Sequence, residues 1–458
     1  MQPSETEPDV NAVETRGTLE PQQVPCREFA FRPVWLLGLF PAALALFVCF
    51  HYGFEAPYMD QWELVPLIEK TFNGDIAFGD LWAQHNVHRI PIPKLIMLVL
   101  ARLSHWDTRW ERAVSMTFAF AAAAMLMLLF ARGQRRSRAA PWAWLVMSTL
   151  FFSAAQWENL LWGWHLLIYL NLLGAILVCA GLSSANAPRL GIAAAAVGAI
   201  LSVYSYGNGL ILLPVGVAVL AVLQWQRKRL DLASLLAWGM ASSLIGLAYI
   251  WDFHKPSYDP SYASVVTTPS QYAYYVAAYL GAPLASFDPR PAAVMGIAGF
   301  CVYLVLAWKA FRREDSARRA TLPFDGLALY AIGTAFLTAT ARTGFGVVQA
   351  LSPRYIAFSS LLWIAIAVHL CAMLSPQEAS RSVRRILAAV LLLIGFAAAA
   401  NSALGVYRCD ERHDGHVAAC DALVSGGSPE LLRRLYPDEQ VVLNARETLK
   451  EYRLNVFR

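Results

Sequence analysis

Charge is what this 458-residue chain has least of: 15% of its residues are Asp, Glu, Lys or Arg, while 57% are hydrophobic and the mean hydropathy is +0.44. A soluble chain of this length could not cover its surface with so few charges, so part of its solvent is lipid. What charge there is nearly balances, at net +5, which excludes the strongly basic surface that nucleic acid requires. The seven cysteines form no CxxC pair and no Cys/His spacing of a structural zinc site. Missing from the start is a basic segment leading into an apolar run and a small-residue cleavage site, so the first apolar run is expected to be a retained helix. Ahead of it, residues 1–32 have too few apolar groups to offset their ordering entropy and read as a disordered cytosolic tail.

What is present is a series of apolar runs long enough to cross a bilayer: 33–50, 113–131, 142–155, 164–182, 190–203, 209–224, 232–251, 291–308, 325–341, 355–374 and 386–404. The fold class expected is all-α, a polytopic membrane bundle of about eleven spans over 33–404, with a long first loop at 51–112 and a small C-terminal segment at 405–458. One piece is too short to span. Residues 90–103 (IPIPKLIMLVLARL) read as an interfacial helix lying along the membrane.

Charge then orients the chain. With 90–103 not crossing, sixteen basic residues gather in five short connectors on one side: Arg132, Arg135, Arg136 and Arg138; Arg189; Arg227, Lys228 and Arg229; Lys309, Arg312, Arg313, Arg318 and Arg319; Arg381, Arg384 and Arg385. The short connectors opposite carry Lys255, Arg290, Arg342 and Arg354 alone. The basic side is the cytosolic one, which places the N-terminus in the cytosol and both 51–112 and 405–458 outside. Cys49, Cys179, Cys301 and Cys371 then read as small apolar side chains within helices, whereas Cys409 and Cys420 fall in an oxidising compartment and are expected to form a disulfide.

Polar residues gather in four places, all on the outer side. The first is the loop after the first span, with Asp60 near its start and His85, His88 and Arg89 before the interfacial helix. The second is QWENLLWGWH at 156–165, with Glu158, Asn159, Trp162 and His165; the third is the Tyr-rich stretch 249–290 with Asp252, His254 and Lys255; the fourth is RTGFGVVQALSPRY at 342–355, with Arg342, Arg354 and Tyr355. Loops that bring acidic, basic and aromatic groups to one face are what a shared ligand cleft requires. Each has a plainer reading. Asp60 suits the N-cap of a helix starting at Gln61, the aromatic residues at 157–164 suit an interfacial belt, and Arg354 suits snorkelling to head groups. His85 and His88, three apart, would share a helical face and suit a divalent metal, but without a third ligand no metal or other cofactor is indicated.

Tyr58-Met59-Asp60-Gln61-Trp62 directly after the first span, His88-Arg89-Ile90-Pro91-Ile92-Pro93 before the interfacial helix, Arg109 and Arg112 leading into the second span, and Ser352-Pro353-Arg354-Tyr355 entering a late one together resemble the bacterial GT-C glycosyltransferases. These integral-membrane, polyprenyl-phosphate-sugar-dependent transferases are related to the protein mannosyltransferase and aminoarabinose transferase group. The likeness covers the plan of residues 33–374 and departs twice: Gln61 stands where the family's Asp-Glu pair has its second carboxylate, and 405–458 is too small for the large soluble domain of oligosaccharyltransferases.

The resemblance implies an inverting membrane transferase in the bacterial inner membrane. It would take a sugar from a polyprenyl-phosphate carrier and give it to a glycan, lipid or protein acceptor. Asp60 would be the base, its affinity for a proton raised by apolar Tyr58 and Trp62. Arg354, Arg342 and Tyr355 would hold the donor phosphate, with Lys255 and His88 as further cations. His85, His88, Arg89, Glu158, Asn159, Trp162 and His165 would line the sugar and acceptor side. A lipid-linked-sugar flippase or other transporter, which should show mid-span charges and internal repeats, and a non-catalytic scaffold are the alternatives.

Overall fold

The computed structural model of the chain describes residues 33–134, 137–184, 188–257, 260–312, 316–374 and 379–458. The expected tail 1–32 with Cys26, the basic residues Arg135, Arg136 and Arg313, and the side chains of Arg318 and Arg319 lie outside the described residues. From Val34 onward the chain is one compact unit.

That unit is helical throughout, with no strand among the described residues. A 3-10 turn leads into α1 (Phe40–His51), and the first loop holds α2 (Val65–Asn73), α3 (Phe78–Trp82) and α4 (Pro91–Ser104). The bundle continues through α5 (Thr108–Gln134), α6 (Ala140–Phe151), α7 (Trp157–Leu161), α8 (Leu166–Leu182), α9 (Pro188–Val203), α10 (Leu212–Gln226) and α11 (Leu232–Ile250). The short α12 (Ser264–Thr267) and α13 (Pro269–Gly281) precede α14 (Pro289–Phe311), α15 (Ser316–Arg342), α16 (Pro353–Met373) and α17 (Arg381–Ser425), and α18 (Pro429–Leu432) and α19 (Glu439–Glu451) close the chain. Among the described residues nine helices are long and apolar enough to cross a membrane. The protein is a multi-pass membrane protein, as composition required.

The two other expected runs form shorter helices, the 16-residue α9 and the 12-residue α6. At 1.5 Å per residue α6 is about 18 Å long, short of the ~30 Å hydrocarbon layer. Its apolar run is broken at Phe152, where Ser153 accepts a bond from Ala155 N and starts a new turn. The backbone that leaves the helix there is buried in protein, which is the one place irregular backbone is tolerated at membrane depth. Packing between helices relies on small residues in the manner usual in lipid. Gly174 on α8 and Gly198 on α9 bring two backbones so close that a Cβ on Gly174 would lie 2.5 Å from the Gly198 carbonyl oxygen.

Helix α4 has 14 residues and two faces. Leu95, Val99 and Leu103, four apart, are exposed, while Lys94, Met97, Leu98 and Ala101 are buried. A short helix showing an apolar stripe outward and holding a buried ammonium on its inner side fits the expected position along the membrane surface. Lys94 Nζ donates to the carbonyls of Ala83 (2.8 Å) and Asp80 (3.2 Å), and burial pushes its pKa down to about 8.

The C-terminal segment is partly something other than a separate piece. The expected boundary at 404/405 falls inside α17, 45 residues long and thus about 67 Å, roughly twice the hydrocarbon thickness. Cys409 and Cys420 therefore share one rigid helix, three turns and about 16 Å apart, beyond the reach of a disulfide, and both are free thiols. The expected bridge is corrected accordingly. Reductant should leave the protein's mass and non-reducing mobility unchanged; a shift on reduction would contradict the continuous helix.

Beyond α17 the chain folds back onto the first loop. Asn455 Nδ2 donates to the carbonyls of Glu55 (2.9 Å) and Trp106 (3.0 Å), Asn455 N to His105 O (2.8 Å), and Met59 N to Leu435 O (2.8 Å). The first loop and the C-terminal segment thus lie at the same end of the bundle.

Candidate functional site

The site is built at that end, where α1, α9, α11 and α15 finish and α5, α8, α10, α14 and α16 begin. Asp60 sits in a 3-10 turn, Met59–Leu64, entered through a left-handed Met59 (φ 46°). It does not cap a helix. Gln61 does the capping, its Oε1 accepting from Tyr58 N at 3.1 Å, and this frees the Asp60 carboxylate to face His85, with Oδ2 3.5 Å from Nε2. The other ring nitrogen of His85, Nδ1, lies 3.3 Å from Glu63 Oε2, so one imidazole is shared by two carboxylates. Its ring rests on Trp164, centroids 4.9 Å apart.

The electrostatics of Asp60 depart from expectation. Burial does favour its proton, but the His85 hydrogen bond and the charges of Arg354 and His165 outweigh burial and hold the carboxyl below its usual range. Asp60 is an ionised carboxylate held in place, not a desolvated acid. Glu63 goes the other way: burial, together with the nearby Asp60 charge, raises it despite His85. A second carboxylate thus stands three residues after Asp60, on the same imidazole. Gln61 itself is buried, and its Nε2 donates to Glu111, which also accepts from Trp106 Nε1 at 3.0 Å.

His85 and His88 do not share a helical face. Each donates its backbone N–H to the other's carbonyl at 2.8 Å across a tight turn with Asn86 left-handed (φ 50°), so their rings point to different partners. His88 Nδ1 accepts from Gly207 N (3.2 Å), which fixes the proton on Nε2, and its ring lies 4.1 Å from that of Tyr206. Burial, then the charges of His85 and Arg342, push His88 down to about 3, so it is a neutral donor and not a cation for phosphate. Gly207 must be glycine here, since a Cβ would sit 2.6 Å from the Tyr249 hydroxyl and 2.9 Å from His88 Nδ1. Among the described residues no three His, Cys, Asp or Glu side chains gather as a metal site.

The two arginines come from opposite ends of the fourth polar stretch. Arg342 ends α15 with its guanidinium 5.6 Å from the Phe345 ring; Arg354 begins α16, 5.4 Å from the Tyr355 ring. Both charges act on His88, Tyr206 and Tyr275, and Arg354 acts on Asp60 and Glu158 as well. Arg354 therefore turns inward to the acidic groups instead of out to head groups. Tyr355 is buried beside Tyr279, centroids 5.4 Å apart.

The 156–165 stretch touches both sides of the site, Trp164 at His85 and Asn159 at the Arg354 carbonyl. Asn159 Nδ2 donates to Gln156 Oε1 (3.2 Å) and to the Arg354 carbonyl (3.3 Å); Trp162 packs on His165 (4.3 Å) and edge-on to Tyr58 (5.4 Å). Burial raises Glu158 against the pull of Arg354 and Arg412. Four polar atoms of this stretch are buried without a hydrogen-bond partner: Glu158 Oε2, Asn159 Oδ1, Trp162 Nε1 and His165 Nδ1. Native proteins leave few such groups unpaired, so these atoms are available to water or to a polar ligand.

Two expected site residues lie elsewhere. Arg89 is buried with its donors committed: Nε to Tyr249 O (2.8 Å), Nη1 to Trp82 O (3.0 Å), and Nη2 to Asp252 O (2.9 Å) and Trp251 O. It pins the first loop to the end of α11 and is not a sugar ligand. Arg89→Ala leaves those carbonyls unpaired and should cost about 2–4 kcal/mol in detergent unfolding, with smaller loss for Lys; an Ala variant as stable as the parent would contradict the pin. Lys255 lies on an exposed stretch with its ammonium 4.9 Å from the Tyr262 ring.

Glu63, Glu111, Tyr206, Tyr275 and Arg412 join the site without having been expected there. Glu63 was signalled by its spacing, one turn from Asp60, and Glu111 by being an acid at the mouth of an apolar run. Arg412, 4.9 Å from the Trp157 ring, had no signal because it arrives on the part of α17 that leaves the membrane.

No protein-family model matches the chain, and no curated protein does. Among solved structures it is similar to ArnT from Cupriavidus metallidurans. The undecaprenyl-phosphate-bound crystal structure matches at 13% identity over 92% of this chain and 78% of that one, with a TM-score of 0.45. The apo structure matches at 14% identity over 91% and 88%, with a TM-score of 0.48. Likeness of this degree is one of general helical plan and carries no argument about chemistry.

Proposed function

We propose that the protein is a membrane glycosyltransferase of the GT-C type that moves a sugar from a polyprenyl-phosphate carrier to a hydroxyl acceptor at the outer face of a bacterial inner membrane. The observation that supports this most is an ionised, histidine-held Asp60 that feels the charge of Arg354, with Arg342 acting on neighbouring His88 and Tyr206 at the same end of the bundle. Transfer from a lipid phosphate needs a proton acceptor beside the attacking hydroxyl and fixed positive charge beside the departing phosphate, and these residues are of those two kinds.

In this reading the acceptor oxygen attacks the anomeric carbon while Asp60 takes its proton. The bond from that carbon to the phosphate oxygen breaks, and its electron pair leaves with the polyprenyl phosphate, whose charge Arg354 and Arg342 receive. A single in-line displacement inverts the anomeric centre. His85 and half-exposed Glu63 offer the proton a route away from Asp60 to water. The unpartnered atoms of Glu158, Asn159, Trp162 and His165 serve sugar or acceptor hydroxyls. The basic connectors support the N-terminus in the cytosol and the C-terminus outside.

Purified protein in vesicles, supplied with a lipid extract containing polyprenyl-phosphate-linked sugars, is expected to release free polyprenyl phosphate as sugar reaches the acceptor. Release equal to that of protein-free vesicles, across extracts from several bacteria, would refute the reading.

A further inference from the structure

A second polar site lies at the opposite end of the bundle, near the ends of α10 and α14 and the start of α15, away from Asp60. Asp325 on α15 accepts from His369 Nε2 on α16 (2.7 Å) and from the Tyr303 hydroxyl on α14 (3.4 Å), both at Oδ1. His369 is buried, but the Asp325 side chain is 22% exposed, and it opens into a recess of about 370 Å³ between α10, α14 and α15. Val222, Leu304, Leu322 and Leu329 wall this recess, and Gln226 joins them with a buried Oε1 that has no hydrogen-bond partner.

The mouth is set at the interface by aromatic rings: Trp225 stacks on Phe311 at 4.2 Å, and Trp308 lies 6.2 Å from Phe311. The Arg312 guanidinium rests 4.6 Å over Trp308 at the same mouth. An ionisable side chain in a membrane helix is costly and is retained for a partner. Here His369 and Tyr303 satisfy one oxygen, which leaves the second Asp325 carboxylate oxygen and the Gln226 amide oxygen as acceptors on the recess side.

We infer that this recess binds a phospholipid with a primary ammonium head group. Its N–H donors meet Asp325 and Gln226, its phosphate meets Arg312 at the mouth, and its chains lie along the aliphatic walls. A quaternary ammonium has the charge but no N–H to donate, so it leaves Gln226 Oε1 unpaired. The site is independent of the transfer chemistry and holds whether or not the proposed activity does.

The test is competition between dioleoyl phosphatidylethanolamine and dioleoyl phosphatidylcholine for the full-length protein in mild detergent, read by native mass spectrometry. Hydrogen bonds to a charged group favour the ethanolamine lipid by about tenfold. Asp325→Asn should abolish the preference and Gln226→Leu reduce it to about threefold. Gln226 lies on α10 and its Oε1 has no hydrogen-bond partner, so its variant decides the matter even where Asp325→Asn fails to fold. Equal retention of both lipids by the parent, or an undiminished preference in Gln226→Leu, would overturn the proposal.

Discussion

Asp60→Asn is expected to lower sugar transfer by about 10²–10⁴-fold, the range a positioned general base supplies, while membrane insertion and abundance stay as in the parent. Asn keeps the shape of the side chain and its place beside His85 but cannot take a proton. Glu63→Gln separates the base from its surroundings: Glu63 meets the far nitrogen of His85, 3.3 Å away, so its loss should slow transfer by only about tenfold. The stability sign is also defined. Asp60 is held below its usual pKa in the fold, so its ionised form adds stability above the unfolded-state pKa that is lost as pH falls through the folded value. The Asn variant should therefore melt slightly lower at neutral pH and approach the parent in acid. Retained transfer in Asp60→Asn would remove it from the chemistry.

Arg354→Ala is the second large effect. Removing the cation that faces both Asp60 and Glu158 should reduce transfer by about 10²–10³-fold, as losses of charge-stabilising donors do, and weaken carrier binding. Arg354→Lys keeps the charge but not the planar fork, and should recover only part of that loss. The two readouts differ between the residues. Asp60→Asn should bind the carrier and not transfer; Arg354→Ala should fail at both.

The helical bundle, its long apolar helices and the short α4 were legible because hydrophobic runs record burial directly. The break at Phe152 was not, because the apolar run continues through Ser153 and Ala154 while the backbone turns inside protein. Spacing misled at His85 and His88, where three residues suit a helix but left-handed Asn86 makes a turn. Arg89 reads as a loop cation in sequence, yet its partners Tyr249, Trp251 and Asp252 lie some 160 residues away, where no local pattern records them. Cys409 and Cys420 misled for the converse reason: the helix that carries them runs on past the membrane, and polar residues such as Asp410 and Glu411 gave no stop. Asp60, Arg342 and Arg354 stood out in the sequence because charge beside an apolar run is costly unless used. Asp60's acidity was not foreseen, since it is set by His85 and Arg354, which the fold brings in from elsewhere.

The most direct test uses undecaprenyl phosphate, the part common to every donor whatever its sugar. Its binding to purified protein should be saturable, weakened at least about tenfold by Arg354→Ala and unchanged within about twofold by Asp60→Asn. No saturable binding by the parent, or equal binding by Arg354→Ala, would contradict a polyprenyl-phosphate site between the arginines and Asp60.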